Sequence, residues 1–462
     1  MPAQPALNRN WQSMNKLQTT YDLRTHGKRS AWILLFLSLL GGLAASAADW
    51  PQYKGPARND ISAETDLLPQ WPAGGPPLVW TFADAGVGLS GPAIVGDRLF
   101  TLGGRGDIEY LIALDLHSVE NQTVSQAWAV AVGPLFDFQG NNWSSGPSAT
   151  PTVDGGQIYA LGGNGHLICV DAESGQQRWR VDLPKDLAAE VNPIGGGPKK
   201  LGWGFTWSPL VDGERLICLP GGPAGTVAAL DKNTGQVVWR STELTDQAAY
   251  TSPMVAEFGG VRQFVVLTNQ GIYGVAAEDG RLLWSHRPAQ RYSTEVVNSP
   301  IVRGEFVYVT VGSGQGCSLI RVRSNGGVFQ TEEVYANTNL ANHHGNVVLV
   351  GDHNYGFAQG RGWVCQNFLT GDVVWSERQK LRAGSLTCAD GRLYCYGEDR
   401  GEVVLLEVSS SGWNEIGRFT IPRETKLRKP NGKLWTPPVV ANGHLFLRDQ
   451  DLIFCYDVRD KP

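Results

Sequence analysis

Six short stretches of this 462-residue chain collect side chains able to bind or react: Trp143-Ser144, Trp203 with Trp207, Tyr250-Thr251, Glu295 with Asn298, Asn342-His343-His344, and Lys433 with Trp435. Aromatic plates offer stacking surface, amides and hydroxyls fix orientation, and a carboxylate beside imidazoles adds capacity for protons or ions. The set suits a planar polar ligand or a sugar-like one. Each residue also has a plainer role. Trp207 and Trp435 serve equally as packing between sheets, Glu295 as a solvated loop acid, and His343-His344 beside Gly345 as partners of loop backbone. Neighbouring histidines on an extended segment point apart, so no metal site is expected from them. Glu295 and Asn298 carry hard oxygens of the kind calcium prefers, but no companion acid is identifiable.

Other chemical signatures are missing. The seven cysteines include no Cys-x-x-Cys and no adjacent pair, and the chain has no hydrolase elbow, paired-histidine helix or phosphate loop. A bridge between Cys388 and Cys395, across the Asp390-Gly391 turn, stays open, although a diagonal pair fits disulfide geometry poorly. Arg105-Gly106-Asp107 reads as a chance triplet in a hairpin turn. Gly195-Gly196-Gly197-Pro198-Lys199-Lys200 reads as a flexible insertion, and the long 180–202 connection around it as a lid or partner loop. With 44 acidic against 39 basic side chains, a net charge of −5 and only 18% charged residues, nucleic acid is not an expected partner.

The elements that position these residues are repeats. Ala229-Leu230-Asp231-Lys232-Asn233-Thr234-Gly235-Gln236-Val237-Val238-Trp239 recurs around Asp171…Gly175…Trp179, Asp279-Gly280…Trp284 and Asn367…Gly371…Trp375, always with glycine four residues before tryptophan. Upstream of most units a small residue and a proline open an apolar strand, as in Thr150-Pro151, Ser208-Pro209, Ser252-Pro253 and Ser299-Pro300. Proline at a strand entrance costs no ladder bond, and Thr/Ser-Gly supplies a tight turn. A lone four-stranded sheet cannot bury both faces. Sheets packed radially cover each other, with Trp179, Trp239, Trp284 and Trp375 as wedges.

The spacing predicts an all-β, eight-bladed β-propeller of four-stranded antiparallel blades. Degenerate fifth and seventh units leave seven blades as the alternative. The last unit ends at Tyr456-Asp457-Val458 without a fourth strand, so the N-terminal strand Pro77–Phe82 is expected to close the ring. Residues 1–47 read as a signal peptide: Lys28-Arg29, the apolar run from Ala31 to Leu40, then Ala45-Ser46-Ala47 before the cut. A retained anchor is the alternative. Residues 48–77 would form an N-terminal arm and 78–462 the propeller.

The Asp/Asn-x-x-Thr-Gly-x-x-x-Trp repeats, the Ser/Thr-Pro entry strands and the opening Asp49-Trp50-Pro51-Gln52-Tyr53-Lys54-Gly55-Pro56 resemble the pyrroloquinoline-quinone (PQQ) repeat propellers of bacteria. That superfamily includes quinoprotein alcohol dehydrogenases and the propeller lipoprotein of the outer-membrane barrel assembly machine. In the dehydrogenases the resemblance implies PQQ on the axis between a tryptophan and a ring of two adjacent cysteines, with calcium and an aspartate base. This chain has no such cysteine pair and no haem domain. The leading expectation is an exported, periplasmic or secreted, monomeric propeller that binds a small polar ligand or an envelope protein without catalysis. A PQQ-dependent alcohol or sugar dehydrogenase and an assembly scaffold are the alternatives.

Overall fold

The computed structural model describes residues 48–116, 123–196 and 202–460. The signal-peptide reading of residues 1–47, and residues 197–201 of the expected insertion, lie outside them. Eight four-stranded antiparallel sheets follow one another along the chain, as the repeats require. Their first strands are Ala93–Val95, Thr152–Asp154, Leu210–Asp212, Met254–Phe258, Ile301–Arg303, Val347–Val350, Gly384–Ala389 and Val439–Ala441, which number blades 1 to 8. First strands of successive blades lie side by side around the axis, so the residues just before them gather at one channel. Among the described residues no helix is long and apolar enough to cross a membrane.

The glycine and tryptophan of the repeat work between blades rather than within one. Trp128, Trp179, Trp239 and Trp375 donate their indole N–H to Glu173 O (3.0 Å), Lys232 O (2.9 Å), Ala277 O (3.2 Å) and Ser409 O (2.8 Å), each in the last turn of the following blade. Gly235, at φ +73°, sits so close to the preceding blade's Trp179 that a Cβ would fall 2.8 Å from its ring. Trp284 fills the same wedge but donates to Gln263 of its own blade, because blade 5 replaces the short turn by a long hairpin, Gly316–Asn325 with Val328–Asn337. Blade 5 itself substitutes Tyr335, whose hydroxyl donates to Phe368 O (2.9 Å) in blade 6.

The entry serines form a second inter-blade chain. Thr150 N donates to Ser208 Oγ, Ser208 N to Ser252 Oγ, and Ser252 N to Ser299 Oγ, all at 2.9 Å and all buried. Each hydroxyl satisfies a backbone donor that the following proline leaves without a ladder partner, which is why the small polar residue precedes proline.

The ring closes where expected. Leu78–Phe82 pairs antiparallel with Leu452–Asp457, with Trp80 opposite Cys455 and Thr81 opposite Phe454. Arg448 pins this seam from blade 8 to blade 1. Its guanidinium is fully buried and donates to Ser90 O (2.7 Å), Thr101 Oγ1 (2.7 Å), Leu102 O (2.8 Å) and Gly86 O (3.2 Å). Burial lowers its pKa to about 9, so neutral oxygens take the place of water around the cation.

Residues 50–71 cross the channel before the closing strand. Trp50 bridges Ile94 of blade 1, Pro51 O accepts from Val153 of blade 2 (2.8 Å), and Arg58 donates to Pro209 O (3.1 Å) and Ser208 O (3.3 Å) of blade 3. Ile61–Ser62 then adds a parallel strand to blade 7, and Glu64 accepts from Asn442 N (2.8 Å) and Gly443 N (3.0 Å) of blade 8. Lys54 and Asp60 form a buried ion pair at 2.7 Å inside the arm. Burial lowers the pKa of Lys54, but the Asp60 carboxylate more than offsets this and leaves it raised. Cys388 and Cys395 face Leu393 and Leu386 across their hairpin, and both thiols are free and buried.

Replacing Gly235 by alanine is expected to destabilise the fold by about 1–3 kcal/mol beyond Gly213→Ala, as the new methyl meets Trp179. Gly213 shares a positive φ (+60°) but has open space at its Cβ. Urea unfolding of the two variants measures the wedge alone.

Candidate functional site

A cavity of about 510 Å³ lies on the axis, with Tyr53 of the crossing arm in its wall. Of the residues expected at the channel mouth, Trp143, Ser144, Trp203, Tyr250, Glu295, His343, His344, Lys433 and Trp435 line it. Trp207, Thr251, Asn298 and Asn342 do not. Trp207 precedes Ser208-Pro209 on an extended segment, so alternation sends Thr206 and Ser208 to the cavity and Trp207, 1% exposed, into the blade core. Asn298 is displaced for the same reason, between Val297 and the Ser299 of the serine chain. Buried behind the wall, it donates from Nδ2 to Asn342 O (3.0 Å) and His343 O (3.3 Å) and so sets the histidine backbone.

Several wall residues went unread in the sequence: Tyr53 from the arm, Phe136 from the blade 1–2 loop, Phe357 and Gln359 from a blade 6 hairpin, and Glu398 from the end of a blade 7 hairpin. The repeat pattern carries no signal for any of them, because they sit in segments that differ from unit to unit. Gly195 comes from the 180–202 connection that was expected to be a lid or partner loop.

The aromatic wall is continuous. His344 stacks on Trp435 (4.5 Å between centroids, 18° between planes), and Trp435 faces Trp143 (6.3 Å, 20°). Trp143 remains 44% exposed, on a loop tied to the blade 7–8 connection by Lys429 to Asp137 (2.8 Å) and Asn431 N to Asn142 O (2.8 Å). Tyr250 donates its hydroxyl to Asn192 O (3.0 Å) and accepts from Trp203 N (3.2 Å), fastening the blade 2–3 loop.

The ionisable groups are held mostly by neutral partners. Burial pushes the Glu295 carboxyl up, but its own backbone N–H, Thr294 Oγ1 (2.8 Å) and Trp203 Nε1 (3.3 Å) outweigh this and keep it below the ordinary range. Burial lowers His343, only partly opposed by Glu295 at 3.9 Å, and drives His344 well below its usual value with His343 adding to the effect. Both imidazoles are therefore neutral near pH 7. Glu398, raised by burial, accepts from Trp435 Nε1 (3.0 Å). Lys433 is taken by Asp399, which also binds Arg382 (3.2 Å).

A calcium-held quinone does not fit this donor set. Glu295 and Asn298 are not brought together at the cavity, Glu295 and Glu398 answer to different tryptophans, and the described residues contain no cluster of three metal-ligating acids, histidines or cysteines.

The family model described as outer membrane protein assembly factor BamB matches residues 113–359, more than half of the chain. The chain belongs to that family. BamB of Shewanella oneidensis is 25% identical over 292 residues, covering 59% of this chain and 68% of that protein. BamB of Burkholderia pseudomallei is 28% identical over 165 residues, 36% of this chain and only 34% of that protein. Among solved structures, BamB from Moraxella catarrhalis superposes with a TM-score of 0.52 at 17% identity, covering 81% of this chain and 95% of the other. The quinohemoprotein alcohol dehydrogenase from Comamonas testosteroni reaches 0.58 at 10% identity, covering 90% and 81%. At such identities the structural likenesses establish the propeller fold and nothing finer.

Glu109 links the site to pH. Fully buried in blade 1, its carboxylate accepts from Phe136 N (3.1 Å) and Gly163 N (2.8 Å), anchoring the loop that carries Phe136 and Trp143. Burial lifts its pKa to about 7 against those two donors. A raised carboxyl pKa stabilises the fold fully below the unfolded value and loses that contribution as pH climbs through about 7. The Glu109 contribution should fall by about 3 kcal/mol between acidic and mildly alkaline buffer, read as the difference in pH slope between the wild type and Glu109→Gln. Denaturant titrations across this pH range measure it.

Proposed function

We infer that the protein is an exported binding propeller that receives a small polar ligand in its axial cavity and performs no chemistry on it. The supporting observation is the cavity itself: aromatic plates on several sides, with its two histidines neutral and its carboxylates engaged by indole and hydroxyl donors. Among the described residues His343 Nε2 has no hydrogen-bond partner, so it is not paired with a lining hydroxyl as an activated nucleophile requires. The export reading rests on the leader, with a mature chain starting at Ala48. It agrees with relatives named for outer-membrane protein assembly.

That family match also supports a second reading, in which a face of the ring docks an envelope protein. The two readings are compatible on one propeller, since cavity and rim are separate surfaces. A PQQ-dependent dehydrogenase is the less favoured reading because the calcium donors do not converge.

Incubation with PQQ and calcium, followed by dye-reduction assays on alcohols and aldoses, is expected to give no turnover. Titration of polar metabolites should quench the cavity tryptophans, and Trp143→Leu should remove part of that quench. Sustained dye reduction would replace the binding reading by catalysis.

A further inference from the structure

Two carboxylates line the cavity, and while Lys433 and Arg382 act on Glu398, no lysine or arginine of the described residues acts on Glu295. Both oxygens of Glu295 accept from neutral groups, Trp203 Nε1 and Thr294 Oγ1. Its only ion-pair neighbour among the described residues is His343, with Nε2 3.9 Å away and the imidazole neutral. Lys433 and Arg382 are held by Asp399, and Lys54 by Asp60. Arg58 faces the carbonyls of Ser208 and Pro209 and is not in the cavity wall.

The surroundings reinforce that negative potential. Trp143, Trp203 and Trp435 all line the cavity, and Trp143 is 44% exposed, so a cation that stacks on its face meets the negative side of the indole quadrupole. Gly195, at φ +85°, brings its backbone so near that a Cβ would lie 2.5 Å from Glu295 Oε1 and 2.3 Å from Trp203 Nε1. The loop is thus built around the carboxylate–indole pair. A half-buried carboxylate held ionised in such a place is poorly solvated, and a cationic ligand relieves it. An anionic quinone would add like charge beside it.

We propose that the axial cavity binds a small organic cation, an ammonium or guanidinium group on a compact body, with Glu295 as counter-ion and the tryptophans as walls. This rests on the reading of the cavity as a ligand site. The cation reaches the cavity either as a free metabolite or as a side chain of a peptide partner, and the two sources share the same chemistry.

Isothermal titration of the purified exported chain separates the outcomes. The probes are choline, its neutral tert-butyl analogue with carbon in place of nitrogen, the tripeptide Gly-Arg-Gly, glucose and PQQ. Choline or the tripeptide should bind saturably and about tenfold tighter than the neutral analogue, as a desolvated cation–π site with a counter-ion requires. Whichever of the two binds tighter identifies the source. Glu295→Gln should bring the ratio of choline to analogue close to one, Glu295→Asp should preserve a preference, and thermal melts verify that both variants fold. If the analogue, glucose or PQQ binds as tightly as the cations, or if Glu295→Gln leaves the preference intact, the cation assignment is overturned while the ligand site stands. Silence from every probe overturns both.

Discussion

The whole molecule depends on sheets that cannot bury their own faces. A four-stranded blade leaves two apolar surfaces open, and only a closed ring gives each one a neighbour. Closure rests on one pairing, Leu78–Phe82 against Leu452–Asp457, which joins the two ends of the described propeller in a single sheet. Arg448 ties that sheet to blade 1 through four oxygens of neutral groups, so a buried cation holds the seam. Its guanidinium geometry matches several carbonyls at once, which a lysine ammonium does not.

Within the ring, neighbouring blades are held by two kinds of recurrent contact at different radii. Near the axis, Ser208, Ser252 and Ser299 pass hydrogen bonds from blade to blade. Further out, indoles seat on the last turn of the next blade, and the turn glycine leaves room for them. The departures follow the same physics. Where blade 5 loses its short turn, Trp284 turns to Gln263, and where blade 5 loses its tryptophan, Tyr335 supplies the donor.

The arm changes what the ring can be used for. By crossing the channel and placing Tyr53 in the wall, it makes a pocket out of an axial passage. Inter-blade loops complete the pocket, and they are fastened by hydrogen bonds of Tyr250, Glu109 and Lys429 rather than by sheet register. The site is therefore assembled from the least repetitive parts of the chain on the most repetitive scaffold.

Blade number and the wedge tryptophans were legible in the sequence because the repeat unit is local, and ring closure because the last unit lacks a strand that the N-terminal end can supply. Strand period, glycine turns and a missing fourth strand are written within a single unit. The channel mouth was legible in part. Position before an entry strand brought Trp143, Tyr250, Glu295, His343, His344 and Trp435 to the wall, but it does not say which of two alternating neighbours faces inward, so Asn298 lies behind the wall and Trp207 takes the packing role that was its equal alternative. Tyr53, Phe136, Gly195 and Glu398 come from separate connections, and only the closed ring brings them to one axis. The charge state of Glu295 and the neutrality of His343 and His344 depend on burial and on donors far away in the chain, as with Trp203 at Glu295. Sequence determines which elements form. Three-dimensional packing decides which side chains meet and in which protonation state, because both depend on distances that no linear pattern encodes.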